Sequence, residues 1–274
     1  MDWLSPLDIG LNMGMTMAWL VMSLALSFRL LKFPDLTVEG SFPLGAAVYA
    51  VAISNGMSIT AGIILAVLTG AVPGVLTACF HTGFRVNKFL AGIITASMCY
   101  SIILRVMAGP NIGVIDKPTL FNIPIIEKLN NANNGIHGGN IAFMLTAVII
   151  GGIIIHRLLY SSYGIKMRAA GSNPAFASSV GINSNLCLIA GLAFTNGLAG
   201  LSGAFLVMHQ GFADVGMGQG LLIMGIASMA IGERILPSKS LSYPLFVIIS
   251  AIIGSIIYQI LLAAAVRMGI SPSD

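Results

Sequence analysis

Charged side chains are scarce in this sequence. Asp, Glu, Lys and Arg together make up 8% of the 274 residues, whereas they make up about 25% of a soluble domain. Hydrophobic residues account for 57% of the chain, and its mean hydropathy is +0.94. This composition excludes a soluble domain and indicates an integral membrane protein. The net charge of +4 does not predict a nucleic-acid partner, because in a membrane protein the placement of basic residues matters more than their sum.

Several sequence signals are absent as well. The alternating ten-residue segments of a membrane barrel do not occur, so the fold class is predicted to be all-α. The N-terminal residues have neither a basic segment nor a small-residue cleavage site, so the first helix is itself the expected insertion signal. Cys79, Cys99 and Cys187 lack the paired spacing of a metal or redox motif. Because no P-loop motif occurs, we expect no ATP hydrolysis by that route in this chain. We also expect no catalytic residue, metal or bound cofactor in it.

Apolar runs recur along the whole chain. A helix needs roughly 20 apolar residues to cross a membrane, so these runs predict about eight transmembrane helices, two of them short. They form one predicted domain, 1–274, of a multi-pass protein in the plasma or inner membrane. The runs fall at 11–28, 42–54, 59–80, 89–106, 140–156, 185–208, 220–231 and 241–262.

The basic residues predict the orientation. If the N-terminus is outside, nine Lys and Arg residues lie inside and four lie outside, which agrees with the preference of basic loops for the cytoplasm. The nine are Arg29, Lys32, Arg85, Lys88, Arg157, Lys166, Arg168, Arg234 and Lys239, and the four are Arg105, Lys117, Lys128 and Arg267. The stretch 107–139 then becomes an external loop, and 157–184 becomes a cytoplasmic loop.

The runs 42–54 and 220–231 would each span only about 20 Å as helices, less than the membrane core of roughly 30 Å. Small residues recur in them at equal spacing, so that Gly45 corresponds to Gly225. This favours a weak inverted repeat, although small residues also recur by chance in a glycine-rich chain. Paired short helices indicate a transport pathway. The predicted pathway residues are Glu39, Gly40, Gly45, Asn196, Gly220, Met224 and Gly225.

An acidic, proline-containing segment, 32–50, overlaps the start of the first short run. Its prolines are expected to interrupt regular helix. They are Pro34 and Pro43. Two interpretations of the acids remain open: Asp35 and Glu39 balance Arg29 and Lys32 at the inner surface, or Glu39 lies at the inner end of the pathway and binds a substrate ammonium group. Asn196, within a span, either joins helices or lines the pathway.

The segment 161–183 is too polar to span the membrane. Ser172 or Asn173 before Pro174 predicts a helix start, and Gly181 predicts its end. The segment is therefore expected to contain a short surface helix on the cytoplasmic side. Gly171 is expected to form a tight turn with positive φ that directs this helix.

This segment resembles the coupling loop of permease subunits in ATP-binding-cassette importers for branched-chain amino acids, ribose and nucleosides. In that family the loop carries a helix that docks into the ATPase. The resemblance covers roughly residues 11–262, and "FPDLTVEGSFPLGAA" is similar to a branch associated with tryptophan- or tyrosine-type binding proteins. The matching coupling residues are Gly164, Arg168, Ala169, Gly171, Asn173, Ala177, Gly181 and Ile182.

The resemblance implies a permease that works in the lipid bilayer as a homodimer or a pair of similar subunits. Cytoplasmic ATPase subunits would bind ATP and Mg²⁺, and an external binding protein would choose the solute. An amino acid, by the branch an aromatic one, is the expected solute, and a ribose- or nucleoside-like solute is the alternative. One departure leaves a contact open, because the chain has Gly232-Glu233-Arg234 where the family commonly has two glycines.

Two other function classes are weighed against the importer: an intramembrane protease and a secondary transporter or channel. A rhomboid-type protease needs a Gly-x-Ser-Gly serine, which Ser202 matches, but also a histidine on a later helix, and no histidine follows His209. Close packing of small residues explains the Ser202 motif better. An ion-gradient-driven secondary transporter or channel remains the alternative to the importer, since it too uses broken helices.

Overall fold

The computed structural model describes residues 4–115, 117–122, 126, 130, 138–237 and 241–269. Lys128 and Lys239, from the two predicted sets of basic residues, lie outside this part of the chain, as does much of the predicted loop 107–139. Ten α-helices occur in the described residues. They are α1 Leu4–Ala25, α2 Val38–Ser54, α3 Ile59–Gly83, α4 Lys88–Met107, α5 Gly138–Tyr160, α6 Ser162–Ser172, α7 Pro174–Ser179, α8 Ser184–Gln210, α9 Leu221–Ile235 and α10 Tyr243–Arg267.

Within the described residues, seven helical segments are long and apolar enough to cross a membrane, and α2 is a shorter apolar helix. The predicted all-α membrane fold with about eight helices is therefore confirmed. The first helix is longer than its predicted run 11–28, because α1 starts at Leu4 and continues as a π-helical turn, Leu26–Leu30. Side-chain caps define several starts, since Asn87 accepts a hydrogen bond from Phe89 N at 3.0 Å and Asn183 one from Leu186 N at 3.1 Å.

Basic residues gather at one end of the bundle, which we call the basic end. The turn after α1, the α3–α4 turn, the end of α5, α6 and the end of α9 contribute to it. These elements carry Arg29, Lys32, Arg85, Lys88, Arg157, Lys166, Arg168 and Arg234. At the opposite end, the short strands β1 Asn111–Gly113 and β2 Phe212–Asp214 pair antiparallel, with Ile112 opposite Ala213. The sequence did not predict these strands.

The core lies where α2, α3 and α8 cross and where α1 packs on α8 and α10. Glycines allow these helices to approach closely, as expected for helices packed in lipid. A Cβ on Gly45 would collide with the backbone of Gly200, and a Cβ on Gly200 would lie 2.5 Å from the Ala66 carbonyl oxygen. The hydroxyl of Ser202 donates a hydrogen bond to Thr16 O at 2.8 Å and is buried. Ser202 therefore joins α8 to α1 rather than acting as an exposed nucleophile.

Candidate translocation and coupling sites

The residues between α1 and α2 turn back into the bundle. Leu31 lies at the basic end, but Phe33, Asp35 and Thr37 are fully buried. A Cβ on Gly40 would meet Ala96 Cα and Cys99 Cβ at 2.9 Å, and both residues lie midway along α4. Helix α2 therefore begins inside the bundle rather than at its surface.

Asp35 is the centre of a buried polar network. Its Oδ1 accepts a hydrogen bond from Thr37 N at 2.9 Å, and its Oδ2 accepts one from Asn196 Nδ2 at 2.6 Å. Asn196 also accepts from Ser41 Oγ at 2.6 Å, and the hydroxyls of Thr37 and Thr77 lie 2.6 Å apart.

The interpretation of Asp35 as a surface balance for Arg29 and Lys32 is therefore wrong. Asp35 is fully buried, and Arg29 instead pairs with Glu233 through two hydrogen bonds of 2.6 and 2.7 Å. Glu233 belongs to the Gly232-Glu233-Arg234 segment whose contact the sequence left open. Gly232 also has a role there, because a Cβ on it would collide with the Ser250 carbonyl of α10.

Helices α2 and α9 meet at their first turns. The backbone N–H of Leu222, in the first turn of α9, donates to Glu39 Oε1 at 3.4 Å. From this contact α2 runs towards the opposite end, whereas α9 runs towards the basic end, where Glu233 binds Arg29. Two helix N-termini carry partial positive charge, which stabilises a carboxylate placed between them.

The expectation that Pro43 interrupts the helix is wrong, because α2 continues through it. Pro34, in contrast, lies outside any helix. Proline lacks the N–H that would bond to the carbonyl four residues earlier, here that of Glu39. Gly218 packs directly against this carbonyl oxygen, where a Cβ would collide with it. The role of Pro43 is thus to leave the Glu39 carbonyl open to the turn before α9.

A cleft of about 320 Å³ opens beside Glu39. The N-terminal part of α2, the middle of α4 and the turn before α9 form its walls. Its polar lining residues are Glu39, Ser97, Tyr100 and Gln219. On α4, Ser97, Tyr100 and Ser101 are exposed and lie on one face. Ser97, Tyr100 and Gln219 were not predicted. Nothing in the sequence indicates that these separate polar residues lie around Glu39.

The other predicted pathway residues have different positions. Gly40 lines the cleft with Glu39, whereas Asn196 is buried in the Asp35 network. Gly220 caps α9 with a φ of +77°. The remaining three contact neighbouring helices: Gly45 meets Gly200, Gly225 meets Leu24, and the Met224 sulfur accepts a hydrogen bond from Gln259 Nε2 at 3.4 Å. The structure thus gathers only part of the predicted set around one cleft.

The predicted surface helix in 161–183 is present as α7. Asn173 caps it by accepting a hydrogen bond from Phe176 N at 3.0 Å, and Pro174 is its first residue. It ends in a Schellman motif, with Gly181 N bonded to Ser178 O and Ile182 N bonded to Ala177 O. Gly181 has a φ of +82°. The sequence did not predict α6, the helix that precedes α7.

The expected positive-φ turn at Gly171 is wrong. Gly171 is helical and lies within α6. A Cβ on Gly171 would collide with Leu30 O, and one on Gly164 would collide with Leu158 O and Leu159. These two glycines therefore hold α6 against the ends of α1 and α5.

The remaining residues of the predicted coupling motif divide into buried and exposed ones. Ala177 is buried, whereas Arg168 and Ala169 line a cleft beside the end of α1. The large exposed apolar side chains are instead Phe176 of α7, 61% exposed, and Val180, which directly follows α7, 56% exposed. The motif includes Ala177 because the motif residues determine how the segment folds. They do not identify the side chains that the folded segment exposes.

A protein-family match covers residues 7–273, and the family is described as the permease component of branched-chain amino acid transport systems. The chain belongs to this family. This permease is therefore a multi-pass membrane protein that serves as a transport subunit and is not itself an enzyme. No solved structure matches the chain.

Three relatives are similar over much of this permease. A tyrosine transport system permease protein of Clostridioides difficile is 31% identical over 264 residues, which cover 96% of this chain and 84% of that protein. An uncharacterized protein of Rickettsia prowazekii, RP368, is 31% identical over 266 residues, 96% and 89% of the two chains. The nucleoside ABC transporter permease protein NupC of Lactococcus lactis is 25% identical over 184 residues, 62% and 56% of the chains.

Proposed function

We propose that this permease forms the translocation path of an ATP-binding-cassette importer for an amino acid, with an aromatic one favoured. The observation that carries the proposal is the Glu39 carboxylate, which lines a cleft at the meeting point of two helix N-termini. An acid at this depth is costly unless it faces water or a cationic group. A substrate ammonium group is the matching ligand. The similarity to a tyrosine permease supports the aromatic choice.

A second copy of the chain completes the path in this proposal. The exposed face of α4 carries Ser97, Tyr100 and Ser101 within a membrane span. Polar groups facing lipid are unfavourable, so this face fits an aqueous path between two copies. A homodimer related by a two-fold axis would place two Glu39 carboxylates on either side of that path.

The partners follow from the family and from the basic end. We assign the basic end to the cytoplasm, because basic residues favour that side. Helix α7 then docks into a separate ATPase, which binds ATP and Mg²⁺, through its exposed Phe176 and Val180. An external binding protein delivers the solute to the opposite end, where the β1–β2 pair lies.

The test is uptake of labelled tyrosine by liposomes that contain the permease and its ATPase, with loaded binding protein outside. We expect accumulation that requires ATP and is reduced by excess tryptophan but not by a nucleoside. Competition by a nucleoside but not by tryptophan would indicate that the substrate is a nucleoside rather than an aromatic amino acid. Uptake that is driven by an ion gradient in the absence of the ATPase would indicate a secondary transporter rather than an ATP-driven importer.

A further inference from the structure

A second cleft, of about 460 Å³, lies at the basic end between α6, the end of α1 and the start of α10. We call it the basic cleft. It contains three cationic side chains and two hydroxyl-bearing residues. These residues are Arg29, Lys32, Arg168, Ser172 and Tyr243.

The charge of the basic cleft is only partly compensated. Glu233 forms an ion pair with Arg29 at 2.6 Å, and it is the one carboxylate that pairs with a lining cation within the described residues. Arg168 stacks over the Tyr160 ring at 5.7 Å, but its buried Nε has no hydrogen-bond partner. The Lys32 side chain is exposed. Two cationic side chains therefore face the basic cleft without an anionic partner.

The backbone at Lys32 has a left-handed conformation. Its φ is +52°, which a residue with a Cβ seldom adopts. Lys88 Nζ donates to the Lys32 carbonyl at 3.2 Å in this conformation. Lys32 thus lies in the turn that follows α1, at the edge of the basic cleft.

The surroundings of the basic cleft favour a membrane lipid as the ligand. The lining residues Ile165 and Tyr243 are 51% and 53% exposed, and Tyr160 and Tyr163 nearby are 46% and 58% exposed. Exposed tyrosines beside basic residues are typical of the level of lipid headgroups. Arginine and lysine bind phosphate oxygens at that level.

We propose that the basic cleft binds the phosphate of an anionic phospholipid in the leaflet at the basic end, with Arg168 and Lys32 as its ligands. The Arg29–Glu233 pair fixes the third guanidinium at the wall of the cleft. Because Gly171 of α6 packs against Leu30, a lipid bound here would hold α6 against the end of α1. Lipid binding by the permease does not depend on the proposed function.

The test is native mass spectrometry of the purified permease, titrated with dioleoylphosphatidylglycerol or dioleoylphosphatidylcholine. We expect tighter binding of the anionic lipid. Arg168→Gln and Lys32→Gln should each weaken it roughly fivefold, and the double variant roughly 25-fold. Lys166→Gln is the matched control, because Lys166 is also exposed on α6 but does not line the basic cleft. Its lipid affinity should stay within about twofold of wild type.

Three results would overturn the proposal. Equal affinity for the two lipids in the wild type would remove the phosphate selectivity. Displacement of the lipid by millimolar inorganic phosphate would show a site for a free anion. Unchanged phosphatidylglycerol binding in the double variant, with loss of ATPase co-purification, would assign the basic cleft to the ATPase interface. Melting temperatures of all variants distinguish these results from misfolding.

Discussion

The side-chain amide of Asn196 donates a hydrogen bond of 2.6 Å to the buried carboxylate of Asp35. This bond connects the middle of α8 to the linker that precedes α2. Asp35 lies two residues before Thr37, the residue at the N-terminal cap position of α2. Glu39, in the first turn of α2, therefore has its position set by a network that reaches across the bundle. The network links the core to the proposed path.

Breaking this network should destabilise the permease. Asn196→Ala leaves a buried carboxylate oxygen without its side-chain donor, which costs about 1–3 kcal/mol. Asp35→Asn should cost less than Asp35→Ala, because the amide oxygen can still accept from Thr37 N. The measurement is the free energy of unfolding in mixed micelles titrated with dodecyl sulfate.

The two residues should also be coupled. In a double-mutant cycle, the combined loss for Asp35→Ala and Asn196→Ala should fall short of the sum by at least about 0.5 kcal/mol. Thr146→Ala, exposed on α5, should combine additively with Asp35→Ala and serves as the control. Additivity of Asp35 and Asn196 would contradict a shared network.

The crossing of α8 over α2 and α3 should not tolerate a side chain at Gly200. Gly200→Ala would place its Cβ 2.5 Å from the Ala66 carbonyl oxygen, and such overpacking costs about 1–3 kcal/mol. Gly83→Ala is the control, since a Cβ there meets open space. Equal unfolding free energies for the two variants would show that the crossing can widen.

The docking of α7 should depend on its exposed apolar side chains. Phe176→Ala and Val180→Ala are expected to reduce ATPase affinity, with Phe176 costing about 2 kcal/mol because buried aromatic anchors dominate interfaces. Binding of the purified ATPase to the permease in nanodiscs measures this. Phe84→Ala, a 75% exposed phenylalanine on the α3–α4 turn, should bind normally. A larger loss of ATPase affinity for Phe84→Ala than for Phe176→Ala would place the docking surface at the α3–α4 turn instead of α7.

The orientation can be tested with single cysteines in a variant that lacks Cys79, Cys99 and Cys187. A cysteine replacing Ile115, 79% exposed near the β1–β2 pair, should react with an impermeant thiol reagent in intact cells. A cysteine replacing the exposed Ser172 of α6 should react only after the membrane is opened. The reverse pattern would place the basic end outside and remove the ATPase from α7.

The sequence predicted the membrane class, the approximate number of membrane helices and the start and end of α7, since these depend on local signals. The length of an apolar run identifies a membrane helix, and Asn173 and Gly181 mark the two ends of α7. Each of these signals lies within or next to the element that it predicts. The burial of Asp35 was not predictable, because its partner Asn196 is 161 residues away. Nothing in a single sequence distinguishes a surface acid from one that a distant amide holds inside the bundle.

The glycines show the same limit. Gly171 was expected to form a turn, but it occupies a position of close helix contact, as Gly45 does. A glycine can allow close packing of two helices or a positive φ, and the sequence around it does not distinguish the two roles. The position of the neighbouring helix determines which role applies. Of the two helices that were predicted to be short, only α2 is, because the helical segment Val215–Ile235, which contains the run 220–231, has 21 residues and is long enough to cross a membrane.

The most direct test of the proposed path is ATP-driven tyrosine uptake by the Glu39→Gln permease, assembled with its ATPase and loaded binding protein. Loss of the carboxylate should reduce uptake at least about tenfold, which corresponds to about 1.4 kcal/mol. Binding-protein-stimulated ATP hydrolysis should continue, because Glu39 lies away from α7. Wild-type uptake by Glu39→Gln would contradict a translocation path at this cleft.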